Sequence, residues 1–257
     1  MGIHPTAIVD PAAELGADVE VGPYAVIGAH VRIGQGTRIM SHAVIEGHTT
    51  IGSHCTLFPF CSIGQQTQDL KYEGGTTYVE IGDKTTIREY VTVNSATADG
   101  DVTRVGNRCH IMAYAHVAHD CRVGDDVIIA NCGTLAGHVE LEGQVILGGL
   151  SAVHQFVRIG RLSIIGGCSR VIQDVPPYMM AAGNPLEVHA TNAIGLKRKG
   201  IDSTVQKALK HAHRVLYREG LSTRQALERL TSESTESAAE VAHLIDFIKA
   251  SERGITK

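Results

Sequence analysis

Aliphatic residues recur at every sixth position through the first two thirds of the chain. From Ile3 to Val171, 26 of the 29 positions on this spacing are Ile, Leu or Val, and Gly follows at twelve of them. A period of six fits neither an α-helix nor a simple alternating strand. It fits a short strand and a tight turn, repeated, with each aliphatic side chain pointing inward. We therefore predict a parallel β-helix of hexapeptide repeats, in which three units form a triangular coil of about eighteen residues.

Such β-helices are usually left-handed, an exception to the right-handed crossover rule, and we expect that hand here. Three positions break the pattern: Asp69, Gly75 and Asp99. They predict loops at 65–78 and 94–104. Polar loops on a rigid scaffold often carry ligand contacts, although solvated bulges would have the same composition.

The pattern changes after Val171, where Pro and Gly residues mark a connector. We predict a mainly β protein with two domains, a β-helix over 1–185 and an α-helical domain over 186–257. Ser203 is a suitable N-cap for a helix that runs to about Arg218. Further amphipathic segments span 222–230 and 238–250.

Composition narrows the choice of function. The formal net charge is −4, so the broad basic surface of a nucleic-acid-binding protein is absent. Six cysteines without C-x-x-C spacing indicate reduced thiols in a cytosolic protein. No apolar run is long enough to span a membrane. With 4% aromatic residues and no Trp, the chain suits a narrow aliphatic interior.

A dense group of polar residues follows the second loop, and it contains His110, His116, His119, Asp120, His138, His154 and Gln155. Residues eighteen apart stack on adjacent coils, so Gly137 should lie over His119, and His138 over Asp120. An imidazole beside a glycine N–H suits acyl transfer, since the base deprotonates a substrate hydroxyl and the amide stabilises the oxyanion. A surface histidine without function is the alternative. A hydrogen bond between His119 and Asp120 would require a turn, because neighbours on a strand face opposite ways.

Other polar clusters leave two interpretations open. His30, His42, His48 and His54 share one phase of the repeat, and His30 should stack on His48. They are either metal ligands or polar corner residues, and the absence of a His-x4-His pair weakens the metal interpretation. Lys197, Arg198 and Lys199 either bind phosphates or an acidic partner, or form a solvated charged run.

The whole chain resembles the family of acyl-carrier-protein:UDP-N-acetylglucosamine O-acyltransferases. The segments that carry the resemblance are SIGQQTQDLKYEG, AHVAHDC, TLAGH, AVHQF, GGCS, QDVPPY and GLKRKG. The resemblance implies a cytoplasmic homotrimer with sites between subunits, acting in the first step of lipid A biosynthesis. The reaction implied moves a 3-hydroxyacyl chain from acyl carrier protein to the sugar 3-position, without metal or redox cofactor.

The resemblance also implies roles for individual residues. His119 would be the general base, Asp120 would support it, and Gly137 would supply the oxyanion N–H. The residues implied to bind the sugar nucleotide, the acyl amide or the pantetheine arm are Gln68, Asp69, Lys71, His116, His138, His154, Gln155, Asn192 and Arg198. Ile164 and Gly167 match the acyl-length ruler, and Gly167 leaves room for a longer chain.

Two residues depart from the family pattern, and the acceptor group and the alternative functions are left open. Lys199 stands where the family often has a second Arg, and Ile194 where it often has an acid. The acceptor is either the 3-hydroxyl or a 3-amino analogue. A related N-acyltransferase with an extra N-terminal domain is disfavoured because the repeat starts at Ile3. A coenzyme A-dependent acetyltransferase would leave the QDLKY loop unexplained, and a non-enzymatic trimeric scaffold would not need His119.

Overall fold

The computed structural model describes residues 2–233 and 239–257 and confirms the predicted β-helix. Its described part contains 28 short strands, numbered along the chain, in three sheets that form the faces of a left-handed triangular prism. We name the sheets A, B and C in the order in which the chain visits them. The turns between them form the A–B, B–C and C–A corners.

Sheet A contains β1 (Gly2–Ile3), β4 (Glu20–Val21), β7 (Arg38–Ile39), β10 (Thr56–Leu57), β13 (Thr86–Ile87), β16 (His110–Ile111), β19 (Ile128–Ile129), β22 (Ile146–Leu147), β25 (Ile164–Ile165), β27 (Met179–Ala182) and β28 (Glu187–Thr191). Sheet B contains β2 (Ile8–Val9), β5 (Val26–Ile27), β8 (Val44–Ile45), β11 (Ser62–Gln65), β14 (Thr92–Asn94), β17 (His116–Val117), β20 (Thr134–Leu135), β23 (Ala152–Val153) and β26 (Arg170–Val171). Sheet C contains β3 (Glu14–Leu15), β6 (Arg32–Ile33), β9 (His48–Ile51), β12 (Tyr78–Ile81), β15 (Val102–Val105), β18 (Arg122–Val123), β21 (Glu140–Leu141) and β24 (Arg158–Ile159).

The strand register confirms the predicted coil length. Gly2 pairs with Glu20, and the same spacing of eighteen returns between Arg104 and Arg122. The periodic aliphatic residues fill the interior, as Ile63 and Ile111 show with no exposed surface. Ile3 is 43% exposed, because it lies on the terminal coil and no further coil covers it.

Two insertions interrupt the regular coils. Tyr78 pairs with His48, thirty positions earlier, and with Val102, 24 positions later. The connecting loops are residues 66–77 and 95–101. The predicted loops, 65–78 and 94–104, are too long. Gln65, Tyr78 and Asn94 lie in strands, and Val102–Val105 pairs in register with Tyr78–Ile81.

The chain leaves the prism through a hairpin. β27 pairs parallel with β25 and antiparallel with β28, which turns the chain toward four helices. These are α1 (Ala193–Arg198), α2 (Ser203–Tyr217), α3 (Thr223–Glu233) and α4 (Ala239–Lys249). Tyr178 Oη lies 2.9 Å from His243 Nδ1, and this contact joins α4 to the prism.

The helices lie close to their predicted positions, with two corrections. The first residues of the predicted helical domain are not helical, because Glu187–Thr191 forms β28 and pairs with β27. Asp202, not Ser203, caps α2, because the Asp202 carboxylate accepts the Thr204 N–H at 2.7 Å. Ala238, the predicted start of the last helix, lies outside the described residues. The domain boundary at 185/186 stays a prediction. No helix among the described residues combines the length and the apolar character needed to cross a bilayer.

Candidate active site

Both insertions emerge at the B–C corner. Residues 66–77 connect β11 of sheet B to β12 of sheet C, and residues 95–101 connect β14 to β15 in the same way. His119 and Asp120 lie between β17 and β18, at the same corner one coil further along. The two loops therefore form walls beside the predicted base.

His119 and Asp120 form the predicted pair. His119 Nδ1 lies 2.7 Å from Asp120 Oδ2, and both side chains are largely buried. Asp120 has a φ of 60°, the left-handed conformation of a tight turn. This turn rotates the carboxylate back toward the preceding imidazole, which a continuous strand would not allow. Because Asp120 occupies Nδ1, Nε2 is the ring nitrogen that faces away from the pair and is free to act as a base.

Gly137 lies directly over the His119 ring, as the spacing of eighteen residues per coil predicts. A Cβ atom at Gly137 would lie 2.3 Å from His119 Cε1 and 2.4 Å from Nε2. Only a residue without a side chain allows the imidazole to approach this closely. Among the described residues, no group accepts a hydrogen bond from the Gly137 N–H. This amide is therefore available to an oxyanion beside the imidazole.

His138 lies over Asp120, again as predicted. Its Nε2 is 3.6 Å from Asp120 Oδ2, and its backbone N–H donates to the His119 carbonyl at 3.1 Å. The His138 ring stacks on Phe156 with a centroid separation of 4.6 Å and an interplanar angle of 8°. Phe156 thus fixes the orientation of a ring at the edge of the site.

The donor atoms of His119, Asp120 and His138 lie within 4.8 Å of one another, close enough to consider a metal ion. Two ligands of a tetrahedral zinc ion at about 2.0 Å would be separated by about 3.3 Å. His119 Nδ1 and Asp120 Oδ2 are closer, at the 2.7 Å of a hydrogen bond. This geometry fits a proton-sharing pair better than two metal ligands.

The first loop brings Asp69 to the other side of His119. Asp69 Oδ2 is 3.9 Å from His119 Nε2, and the Asp69 side chain is 19% exposed. The Thr67 and Thr97 hydroxyls lie 3.0 Å apart and join the two loops, and the Thr97 N–H donates to Asp120 Oδ1 at 3.4 Å. Gln68 and Lys71 are exposed on the same loop.

Three further predicted residues lie on this side of the prism. His116, on β17, has its Nδ1 2.7 Å from the Thr92 hydroxyl, and burial, with a smaller effect of His119, lowers its pKa. His154 and Gln155 are exposed at the B–C corner one coil beyond His138. A cavity of about 890 Å³ opens beside them; its lining includes Asp120, Arg122, His138, Phe156 and Arg253.

The remaining predicted residues lie at other corners of the same chain. Asn192 donates to the carbonyl of Leu162 at the C–A corner, and its Oδ1 accepts the Gly195 N–H and so caps α1. Arg198 is exposed at the end of that helix. Ile164 lies in sheet A, and Gly167 is exposed near the A–B corner. His110 is in sheet A as well, so the chain does not place it in the His119 cluster.

Three of the four outer histidines form ring stacks. His30 and His48 stack with centroids 4.3 Å apart, which confirms the predicted contact. Burial, with a smaller effect of His30, lowers the pKa of His48. His42 stacks between Tyr24 and Phe60 at the A–B corner. Among the described residues, none of these histidines belongs to a group of three potential metal ligands.

Sequence reasoning missed the residues that support the pair. Thr103 accepts the Asp120 N–H through its hydroxyl, Thr92 contacts His116, and Phe156 stacks on His138. Thr103 carried no distinctive signal, because it lies outside the aliphatic phase of the repeat and other buried threonines, such as Thr49 and Thr85, share its position in the repeat.

Comparison with known proteins agrees with this geometry. A family model described as UDP N-acetylglucosamine O-acyltransferase, domain 2, matches residues 174–256, and one described as bacterial transferase hexapeptide matches residues 103–137. The chain is 51% identical over 259 residues to an acyl-(acyl-carrier-protein)–UDP-N-acetylglucosamine O-acyltransferase of Burkholderia orbicola, covering 99% of both chains. It is also 51% identical over 256 residues to the enzyme of that name from Thiobacillus denitrificans, again covering 99% of both.

Solved structures are similar over the full length. The UDP-N-acetylglucosamine acyltransferase structure from Moraxella catarrhalis has a TM-score of 0.95 at 43% identity and covers 100% of both chains. The corresponding structure from Acinetobacter baumannii has a TM-score of 0.96 at 43% identity and covers 99% of both. The likeness therefore includes the β-helix, both loops and the helical region.

Proposed function

The chain belongs to the family of acyl-(acyl-carrier-protein)–UDP-N-acetylglucosamine O-acyltransferases, and from this membership we propose its reaction and mechanism. It transfers a 3-hydroxyacyl chain from acyl carrier protein to the 3-position of UDP-N-acetylglucosamine, the first step of lipid A biosynthesis. The single observation that supports the mechanism is the position of His119, hydrogen-bonded to Asp120 on one side and packed against Gly137 on the other.

His119 Nε2 removes the proton from the sugar 3-hydroxyl, and the oxygen attacks the thioester carbonyl carbon. The Gly137 N–H donates to the oxyanion of the tetrahedral intermediate. When the intermediate collapses, the carbon–sulfur bond breaks and the carrier thiolate takes the proton from the His119 imidazolium. Asp120 holds the Nδ1 proton throughout and stabilises the imidazolium.

The loop and the corner residues bind the acceptor. Asp69 lies 3.9 Å from His119 Nε2, a separation suited to a carboxylate that accepts a hydrogen bond from a sugar hydroxyl beside the base. Gln68 and Lys71 are exposed next to it and provide polar contacts to the sugar nucleotide. His116, His138, His154 and Gln155 complete the polar wall.

The active assembly is a homotrimer with sites between subunits. Asn192 and Arg198 lie beside the C–A corner, whereas His119 lies at the B–C corner. One chain therefore does not bring these residues together. If the C–A corner of one prism faces the B–C corner of the next, Asn192 and Arg198 reach the nucleotide or the pantetheine arm at the partner's His119.

The acidic acyl carrier docks on a basic stripe along α2. A cavity of about 510 Å³ between α2 and β28 is lined by basic residues that include His189, Lys207, Lys210, His211, Arg214 and Arg218. Among the described residues, no carboxylate oxygen lies within 4.0 Å of the Lys207 or Lys210 ammonium, so both charges are available to an acidic partner. Arg224 lines a different cavity between α3 and α4 and pairs with Glu228 at 2.9 Å.

The acyl chain runs along the outside of the prism past Ile164 and Gly167. A Cβ atom at Gly167 would make a tight contact of 3.2 Å with the Gly149 carbonyl oxygen, and the glycine keeps the space beside the acyl chain free of a side chain. This space favours a longer acyl group.

The enzyme works in the cytoplasm, and the unpaired state of all six cysteines supports a reducing location.

The test is a transfer assay with purified protein, UDP-N-acetylglucosamine and acyl carriers of increasing chain length. We expect the wild-type protein to be active and to prefer a longer acyl chain. We also expect its mass in solution to be three times 27.4 kDa. His119→Ala should reduce kcat by at least about 100-fold, because general-base catalysis contributes about 10²–10⁴-fold, with trimer mass and Tm retained. Full activity of His119→Ala would exclude His119 as the base, and preference for the shortest chain would exclude the proposed role of Gly167.

A further inference from the structure

Hydrogen bonds between coils hold the corner residues in place. At most corners with uninterrupted spacing among the described residues, the residue with positive φ donates its N–H to the carbonyl nineteen positions earlier on the adjacent coil. His138 donates to the His119 carbonyl at 3.1 Å, and Phe156 donates to the Gly137 carbonyl at 3.1 Å. These bonds fix the peptide planes of successive corners.

The bond is different at Asp120. The carbonyl nineteen positions earlier belongs to Asp101, at the end of the second loop, and it accepts the Tyr78 N–H at 3.0 Å. The Asp120 N–H donates instead to the Thr103 hydroxyl at 2.8 Å. A side chain therefore replaces the carbonyl at the corner that carries the catalytic pair.

We propose that Thr103 is a positioning residue for the catalytic pair. Its hydroxyl holds the peptide plane between His119 and Asp120, and this plane sets the direction of the Asp120 carboxylate toward His119 Nδ1. Thr103 has no exposed surface and touches neither solvent nor the cavity beside the site. It acts on the reaction only through Asp120, and the proposal rests on the function proposed above.

The interior accepts valine at this position of the coil. Val79 pairs directly with Thr103, and the same column has Val139 and Val157 on coils further along the prism, all buried. The column also contains Thr49, next to Val79, and Cys121, the neighbour of Thr103 on the other side. Where the column has Val139, the corner above keeps its carbonyl bond, from Phe156 to Gly137. Packing in this column therefore does not require a hydroxyl, and the hydroxyl of Thr103 serves a corner at which the carbonyl bond is missing.

The experiment compares Thr103→Val, Thr103→Ser and Thr85→Val in the full-length protein. Valine has the shape of threonine without the hydroxyl, and serine restores it. Thr85 is the matched control, because it is also fully buried and its hydroxyl accepts a backbone N–H, from Cys109 at 3.1 Å, at the C–A corner. All three variants are measured for Tm, trimer mass, kcat and both KM values.

We expect Thr103→Val to lower kcat about tenfold with both KM values within about twofold, since imprecise alignment of a base reduces the rate rather than binding. Thr103→Ser should recover most of kcat, and Thr85→Val should keep wild-type kcat. Unchanged kcat in Thr103→Val, no recovery in Thr103→Ser, or an equal loss in Thr85→Val would each overturn the proposal. An active His119→Ala enzyme would instead refute the proposed function, which separates the two failures.

Discussion

Replacing Gly137 by alanine tests the contact between His119, the proposed base, and the glycine without removing either functional group. The alanine methyl would lie 2.3 Å from His119 Cε1 and 2.4 Å from Nε2, far inside van der Waals contact. Gly137 does not adopt a positive φ, so alanine introduces no backbone strain there. The Gly137 N–H also remains. The substitution therefore acts on the position of the imidazole.

The expected loss follows from these distances. A relaxed contact needs about 3.5 Å, so the ring must move by about 1 Å. Such a movement draws Nδ1 away from Asp120 Oδ2, which it meets at 2.7 Å. Misplacement of a catalytic group by about 1 Å costs about 100-fold in rate, or about 2.7 kcal/mol in the barrier. The ring can rotate into the open cleft, so the fold should tolerate the methyl.

The assay is steady-state transfer by Gly137→Ala with Gly143→Ala as control. Gly143 occupies the equivalent position at the next corner, where a Cβ would lie 3.3 Å from the Asp125 carbonyl oxygen and no catalytic group is present. We expect kcat to fall about 100-fold in the first variant and to stay unchanged in the second, with both Tm values close to wild type. Wild-type kcat in Gly137→Ala would show that the base does not need the position seen here.

Two further predictions concern the helical region. Lys210→Glu should raise KM for the acyl carrier severalfold without changing KM for the sugar nucleotide, whereas Arg224→Glu, already paired with Glu228, should change neither; equal effects would refute docking on α2. His213 is buried with Nε2 unpartnered among the described residues, and burial, with a smaller effect of Arg218, lowers its pKa. The neutral His213 side chain therefore stabilises the fold fully above about pH 6.5, and this contribution is lost as the pH falls. We expect His213→Phe to reduce the drop in Tm between pH 7.5 and pH 5.5. A drop equal to that of the wild type would refute this.

The fold could be predicted because one period governs most of the chain. The six-residue spacing determines which side chains point inward, and eighteen residues complete a coil wherever no insertion intervenes. The prediction was wrong at element boundaries that are set by local hydrogen bonds. The strand β15 begins at Val102 because Val102 pairs with Tyr78, and α2 is capped by Asp202 because its carboxylate reaches the Thr204 N–H. The hairpin of β27 and β28 has no hexapeptide signal at all.

The site could be predicted as far as the spacing stays regular. His119, Gly137 and His138 lie beyond both insertions, so counting eighteen residues places them correctly. Asp69 lies inside an insertion, where counting gives no position relative to His119. The location of Asn192 depends on the path of the chain after the repeat ends, and its side chain caps α1. These positions required the three-dimensional structure.

The three corners share one backbone geometry, and the insertions are what distinguish the B–C corner. At the A–B corner, rings from Tyr24 to Tyr114 stack on successive coils with centroids 4.8 to 5.1 Å apart, which leaves no space between them for a substrate. At the B–C corner, the two loops interrupt the regular coils and bring Asp69 beside His119. The Asp101 carbonyl, which would otherwise accept the Asp120 N–H, accepts the Tyr78 N–H instead, and the Thr103 hydroxyl accepts the Asp120 N–H. The interruptions of the repeat, more than the repeat itself, therefore determine where this scaffold can place its chemistry.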